Sequence, residues 1–103
     1  MDKTTVIKTA TQYAQIVAEE LKPYAIFLYG SYANGTPHAE SDIDVAVVFD
    51  GFNGNWLEIS AKLWKLRREI SDDIEPVLLD RTQDKSGFVN NIIKTGELLY
   101  SHF

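Results

Sequence analysis

With 103 residues and no cysteine, the chain has the size of one domain, residues 1–103, and excludes a disulfide framework or cysteine-ligated zinc. It is 45% hydrophobic and 24% charged, no run approaches the roughly 20 apolar residues that cross a bilayer, and Met1 to Lys8 lack a signal peptide's apolar core; a cytoplasmic globular protein is expected. Ten basic against fifteen acidic side chains, a net charge of −5, argue against a general nucleic-acid binder, which carries a basic face.

Ile7, Ala10, Ala14, Val17 and Leu21 recur at spacings of three and four, which predicts an amphipathic helix over about residues 5–21, ended by Pro23. Ala25 to Tyr29 is a short apolar run bounded by Pro23 and Gly30, the pattern of a buried strand. Gly30 to Ser41 is rich in small and turn-forming residues and reads mostly as loop. Ile43 to Phe49, β-branched and aromatic, reads as a second strand, closed by Asp50-Gly51.

Asn55 with Glu58 three residues on resembles a capping box, so a helix should start there. Trp56, Ile59, Leu63, Leu66 and Ile70 give its apolar stripe to about residue 71, and Ser71-Asp72-Asp73 stops it. Trp64 falls off that stripe, as further core or as a partner-binding patch. Lys62, Lys65, Arg67 and Arg68 form a basic stretch on the same helix, either a solvated face or a contact for nucleotide or an acidic surface. Ile74 to Leu79 reads as a third strand in which Pro76, lacking an N–H, belongs at an edge or at the beginning. Phe88, Val89, Ile92 and Ile93 mark a short last helix with Gly96 as its C-cap, and Glu97 to Phe103 reads as a tail that could be extended. This order predicts an α/β (α+β) fold with a small mixed sheet flanked by helices.

Two stretches carry chemistry. Gly30-Ser31, at the end of a buried strand, can present backbone N–H groups and a hydroxyl to an anion, with no Cβ to hinder phosphate; alone, Gly30 and Gly35 could equally be turn-shaping glycines. Asp42 and Asp44, two residues apart at the start of a strand, leave one face of the sheet with Cα atoms roughly 6.5–7 Å apart. Two carboxylates so placed repel unless a cation or a raised pKa relieves them, and oxygen ligands suit magnesium or manganese rather than zinc.

Together, Gly30-Ser31, Gly35, then about ten residues after Ser31 the run Ser41-Asp42-x-Asp44 on a strand resemble the signature of the DNA polymerase beta nucleotidyltransferase superfamily, over about residues 5–100. The short length points to the minimal nucleotidyltransferases within it. The resemblance implies a third carboxylate on a neighbouring strand. Glu75, in Ile74-Glu75-Pro76-Val77-Leu78-Leu79, is the candidate, although the family usually has aspartate there; Asp73 and Asp80 are the fallbacks. It further implies that Asp42, Asp44 and Glu75 hold two Mg²⁺ ions, that Gly30 and Ser31 grip the phosphates of a nucleoside triphosphate, ATP above all, and that a nucleotidyl group passes to a hydroxyl. Minimal nucleotidyltransferases of this kind often act as the antitoxin of a pair with a HEPN-domain toxin and adenylylate a tyrosine of it. Two further functions stay open: a non-catalytic antitoxin that neutralises its partner by docking, and transfer to a small, antibiotic-like acceptor gripped with help from a partner or from a second copy in a homo-oligomer. His38 and His102 read as surface histidines; Tyr29, Tyr32 and Tyr100 read as core or rim aromatics that could also stack on a base or accept a nucleotide.

Overall fold

The computed structural model describes residues 3–30, 43–51 and 54–102. In chain order it runs α1 (Lys3–Leu21), β1 (Ala25–Tyr29), β2 (Ile43–Phe49), α2 (Trp56–Leu66), a 3₁₀ turn at Arg67–Glu69, β3 (Ile74–Asp80), a second 3₁₀ turn at Arg81–Gln83, α3 (Phe88–Thr95) and β4 (Glu97–Ser101). The strands form one sheet in the order β3-β2-β1-β4; β2 and β3 are parallel, and the other neighbours antiparallel. This is the small mixed sheet with flanking helices that the sequence predicts.

Strand alternation divides the core between the two faces of the sheet. Ile26, Leu28, Ile43, Val45, Val47, Ile74 and Leu78 pack with α1 and α2 on one face. Ala25, Phe27, Ala46 and Val48 pack with Val89 and Ile92 of α3 on the other. Burial of α1 is turned slightly from the predicted stripe: Val6, Ala10, Tyr13, Ala14 and Val17 are fully buried, while Ile7 and Leu21 are only partly so. Tyr13 escaped the pattern because its ring is apolar but its hydroxyl needs a partner, here the Leu63 carbonyl of α2, to which it donates at 2.7 Å. Past α1, Lys22 takes a left-handed conformation, φ 50°, and donates its N–H to the Ala18 carbonyl at 3.1 Å.

Asn55 caps α2 through Oδ1, which accepts from the N–H groups of Leu57 and Glu58 at 2.9 and 3.2 Å. The helix ends at Leu66 and tightens into the 3₁₀ turn, so the stripe expected to about residue 71 is interrupted. Its two tryptophans are not core: Trp56 is 44% and Trp64 38% exposed, and the Arg67 guanidinium lies 4.5 Å from the Trp64 ring centre. Two members of the basic stretch also have structural partners, since Lys62 pairs with Glu20 at 3.2 Å and Arg67 donates to the carbonyls of Asp72 and Ile74.

β3 is an edge strand. The Asp73 carbonyl accepts from the Ile43 N–H of β2, so by alternation Glu75, Val77 and Leu79 turn their backbone groups inward and Ile74, Pro76 and Leu78 turn theirs outward. The donor that Pro76 lacks is therefore one the ladder never uses.

The stretch 97–103, expected as a tail that could be extended, is extended but not a free tail: Glu97–Ser101 is β4, paired antiparallel to β1 with a register shift between Ile26 and Phe27. Its side chains are mostly half-buried rather than alternating cleanly, which hid the strand. Gly96 makes the reversal from α3 feasible, because a Cβ there would press on the carbonyls of Ile92 and Leu28.

Candidate active site

The sheet's order places the candidate residues side by side at one end. Tyr29, the last residue of β1, is the register partner of Asp44 near the start of β2. Asp44 is in turn the register partner of Glu75 on β3. Register partners on adjacent strands share a face, here the face that carries α3, and neighbouring strands lie about 4.8 Å apart. Asp44 is half-buried and Glu75 exposed, so a ligand can reach the two carboxylates from outside.

Gly30 follows directly, with φ 80°, a conformation that L side chains rarely adopt. A Cβ at this position would overlap the Asp44 carboxylate through Oδ2. The absent side chain is thus the space into which the Asp44 carboxylate extends, and the glycine is required twice over. The phenol of Tyr29 reports the field at this end: burial pushes its pKa above the ordinary value, and the negative charges of Asp44 and then Glu75 push it further the same way. The Phe88 ring of α3 meets the Tyr29 ring edge to face, with centroids 6.1 Å apart. Beneath them a crevice of about 170 Å³ runs along Gly30, Asn91, Thr95 and Gly96.

The fallback carboxylates are placed differently. Asp80 is the register partner of Phe49, at the far end of β3, where its Oδ1 accepts from the N–H groups of Gly51 and Thr82 and from the Thr82 hydroxyl. Asp73 precedes β3, exposed, and its N–H donates to the Ser71 hydroxyl. Glu75 alone of the three faces Asp44 across the ladder. Ser31, Tyr32, Gly35, His38, Ser41 and Asp42 lie outside the described residues; His102 is exposed, and Tyr100 packs partly buried against the α1 side of the core.

Among the described residues no three acidic or histidine side chains form a ready metal cluster, and Asp42 stands outside that set. The donors that are described suit a hard divalent cation: two carboxylates on adjacent, in-register positions, one of them open to solvent. Tyr29 and Phe88, the aromatic wall of the site, carry no distinctive sequence signal; only the register of β1 on β2 places Tyr29 beside Asp44.

None of the curated proteins matches the chain. Among solved structures, a Sulfolobus solfataricus protein assigned as a nucleotidyltransferase superposes with a TM-score of 0.70 over 97% of this chain and 84% of its own, at 21% identity. A toxin–antitoxin structure with AMP-PNP gives 0.60 over 88% and 73%, at 25% identity. A mutant of the toxin–antitoxin MntA-HpeT gives 0.58 over 87% and 70%, also at 25% identity. The family model for polymerase beta nucleotidyltransferases matches residues 11–102, nearly the whole chain. By that match, and by the fold it shares with these neighbours, the chain belongs to the polymerase beta nucleotidyltransferase family.

Proposed function

We propose that this protein transfers AMP from ATP, with magnesium, to a hydroxyl of a partner protein, as the antitoxin of a pair with a HEPN-domain toxin. The observation that carries this reading is the register of Asp44 on Glu75, which brings two carboxylates together at one end of the sheet, next to a glycine whose missing side chain leaves room for the Asp44 carboxylate. The likeness to toxin–antitoxin structures, one of them with AMP-PNP, supports the choice of partner and nucleotide.

Each residue has a task in this reading. Asp44 and Glu75, with Asp42 from the sequence motif, are the residues that would hold two Mg²⁺ ions, which when bound supply charge neutralisation on the triphosphate and acidify the attacking hydroxyl. Gly30, with Ser31, grips the β and γ phosphates on the β1 side of Asp44. Glu75, exposed on the opposite, β3 side, meets the acceptor and takes the proton of its hydroxyl. In this reading phosphate grip and acceptor flank Asp44 from the two neighbouring strands, so that the acceptor oxygen bonds to the α phosphorus as the bond to the bridging oxygen breaks in line and pyrophosphate leaves on the Gly30 side.

The experiment is to incubate the purified protein with ATP labelled at the α phosphate, Mg²⁺ and a HEPN-domain partner. Label should move to the partner and vanish with Asp44→Asn. Neutralisation of the partner that survives Asp44→Asn without any label would instead mean docking alone, and label found only on small acceptors would mean a different substrate class.

A further inference from the structure

On the α3 side of the molecule, away from Gly30, a cavity of about 360 Å³ lies between the first residue of α2, the end of β3 and the start of α3. The Trp56 and Phe88 rings border it, each 44% exposed, and Leu78, Leu79 and Val89 line it. Two carboxylates, Asp80 and Asp84, also line it, and no lysine or arginine is among its lining residues.

Both acids are held in place by the chain itself. Asp84 accepts from the N–H groups of Val89 and Asn90 at 3.0 and 2.9 Å, one on each oxygen, and so caps α3. Asp80 accepts three donors on Oδ1, led by the Thr82 hydroxyl, which hold its pKa below the ordinary carboxylate value. A carboxylate offers about four lone-pair sites, so each acid keeps acceptor capacity toward the cavity. Of the neighbouring cations, Arg81 pairs with Asp50 at 2.8 Å and its guanidinium covers the Tyr24 ring at 4.4 Å, and Lys85, next to Asp84 in the chain, is exposed and does not line the cavity.

Aromatic rims over an apolar floor, with two fixed negative charges and no cation of their own, match one side chain. Arginine carries an apolar stem, a planar face that stacks on rings and a fork of donors for carboxylates. We infer that this cavity receives an arginine of the protein acceptor, the guanidinium meeting Asp80 and Asp84 and the stem lying between Trp56 and Phe88.

Position relates the cavity to the chemistry. Leu79 is four residues from Glu75 on the same face of β3, about 13 Å along the strand. Phe88 borders both this cavity and the crevice at Tyr29 and Gly30. A protein surface spans that distance, whereas a small acceptor at Glu75 does not reach the cavity. That the arginine belongs to the acceptor rests on the transfer reading above; the cavity's preference for a guanidinium does not.

The test titrates acetyl-arginine amide into the uniformly ¹⁵N-labelled protein and follows backbone and indole N–H signals, with acetyl-lysine amide and acetyl-norleucine amide as comparisons. Saturable shifts confined to Trp56, the 79–90 segment and their neighbours, in the roughly millimolar range of a fragment, are expected for the arginine probe. Lysine should bind more weakly and norleucine not at all. Asp80→Asn keeps the Oδ1 acceptor that orders Thr82 and Gly51 while removing the charge, and should weaken the probe about fivefold or more; Trp56→Ala should do likewise. Thermal melting of both variants checks that they fold. Equal binding of all three probes, shifts elsewhere, or no saturation would overturn the inference. If the arginine probe binds but label never reaches a protein in the transfer assay, the cavity stands and the transfer reading fails.

Discussion

Asp44 faces Glu75 across the parallel β2–β3 ladder and Tyr29 across the antiparallel β1–β2 ladder, so a single aspartate is the shared neighbour of an open carboxylate and a half-buried phenol. Removing its charge should separate function from folding. Asp44→Asn is expected to cut nucleotidyl transfer by on the order of 100-fold or more, the scale of losing one charged group at a transferring phosphoryl site. Its thermal midpoint should not fall, because the change relieves repulsion with Glu75. A large drop in melting temperature would mean that Asp44 is a structural residue instead.

The Tyr29 phenol offers a readout that needs no acceptor. Burial is the first cause of its raised pKa, and the negative charges of Asp44 and Glu75 add to it. Removing one of those charges with Asp44→Asn should bring the phenol's titration back toward the ordinary value, with the burial part remaining. Absorbance titration of the tyrosinate, with Tyr29→Phe to identify the signal, measures this; a titration unchanged by Asp44→Asn would argue that the Asp44 charge does not act on the phenol.

Gly30→Ala should damage both folding and chemistry. The positive φ alone costs a non-glycine residue about 1–2 kcal/mol, and the added Cβ overlaps the Asp44 carboxylate. Urea unfolding should show at least that loss, and transfer should fall with it. A variant of unchanged stability would mean that the turn after β1 relaxes easily.

Tyr13 joins α1 to α2 through its hydroxyl, and Tyr13→Phe leaves the buried Leu63 carbonyl without that donor, at a cost of about 1–2 kcal/mol. Burial, opposed weakly by Arg67, raises the Tyr13 pKa far above its ordinary 10.0. The folded state therefore holds this proton where the unfolded chain has lost it. Stability from Tyr13 is complete below pH 10.0 and declines above it, as the unfolded phenol ionises. Denaturant melts on either side of that pH should show the loss in the native protein and a smaller one in Tyr13→Phe.

Lys22 pays for its left-handed conformation after α1. Lys22→Gly should stabilise the protein by about 1 kcal/mol in urea unfolding, since glycine adopts that conformation freely. No gain would indicate that the lysine's remaining contacts offset the strain.

Which parts of this were legible in the sequence follows from how local each signal is. The strand Ile43–Phe49 and the cap at Asn55 are written in contiguous residues, and both appear where expected. Glu75 was singled out by the resemblance to the family, yet what makes it, rather than Asp73 or Asp80, a partner of Asp44 is the β2–β3 register, a non-local property. β4 was missed because its residues are half-buried on an edge and lack a clean alternation. Trp56 fits a helical stripe by spacing, but it begins α2, beyond the part of the helix that covers the sheet, and it stays 44% exposed. Ser31 and Asp42 remain assignments by motif.

The outward side of β3 is closed to pairing in two ways: Arg67 occupies the Ile74 carbonyl, and Pro76 offers no donor. An invading strand therefore finds no continuous template beside Glu75, and this border of the sheet does not zip onto another chain. In the proposed transfer an acceptor would therefore approach this edge side chain first, and β4 is left as the margin where the sheet could grow.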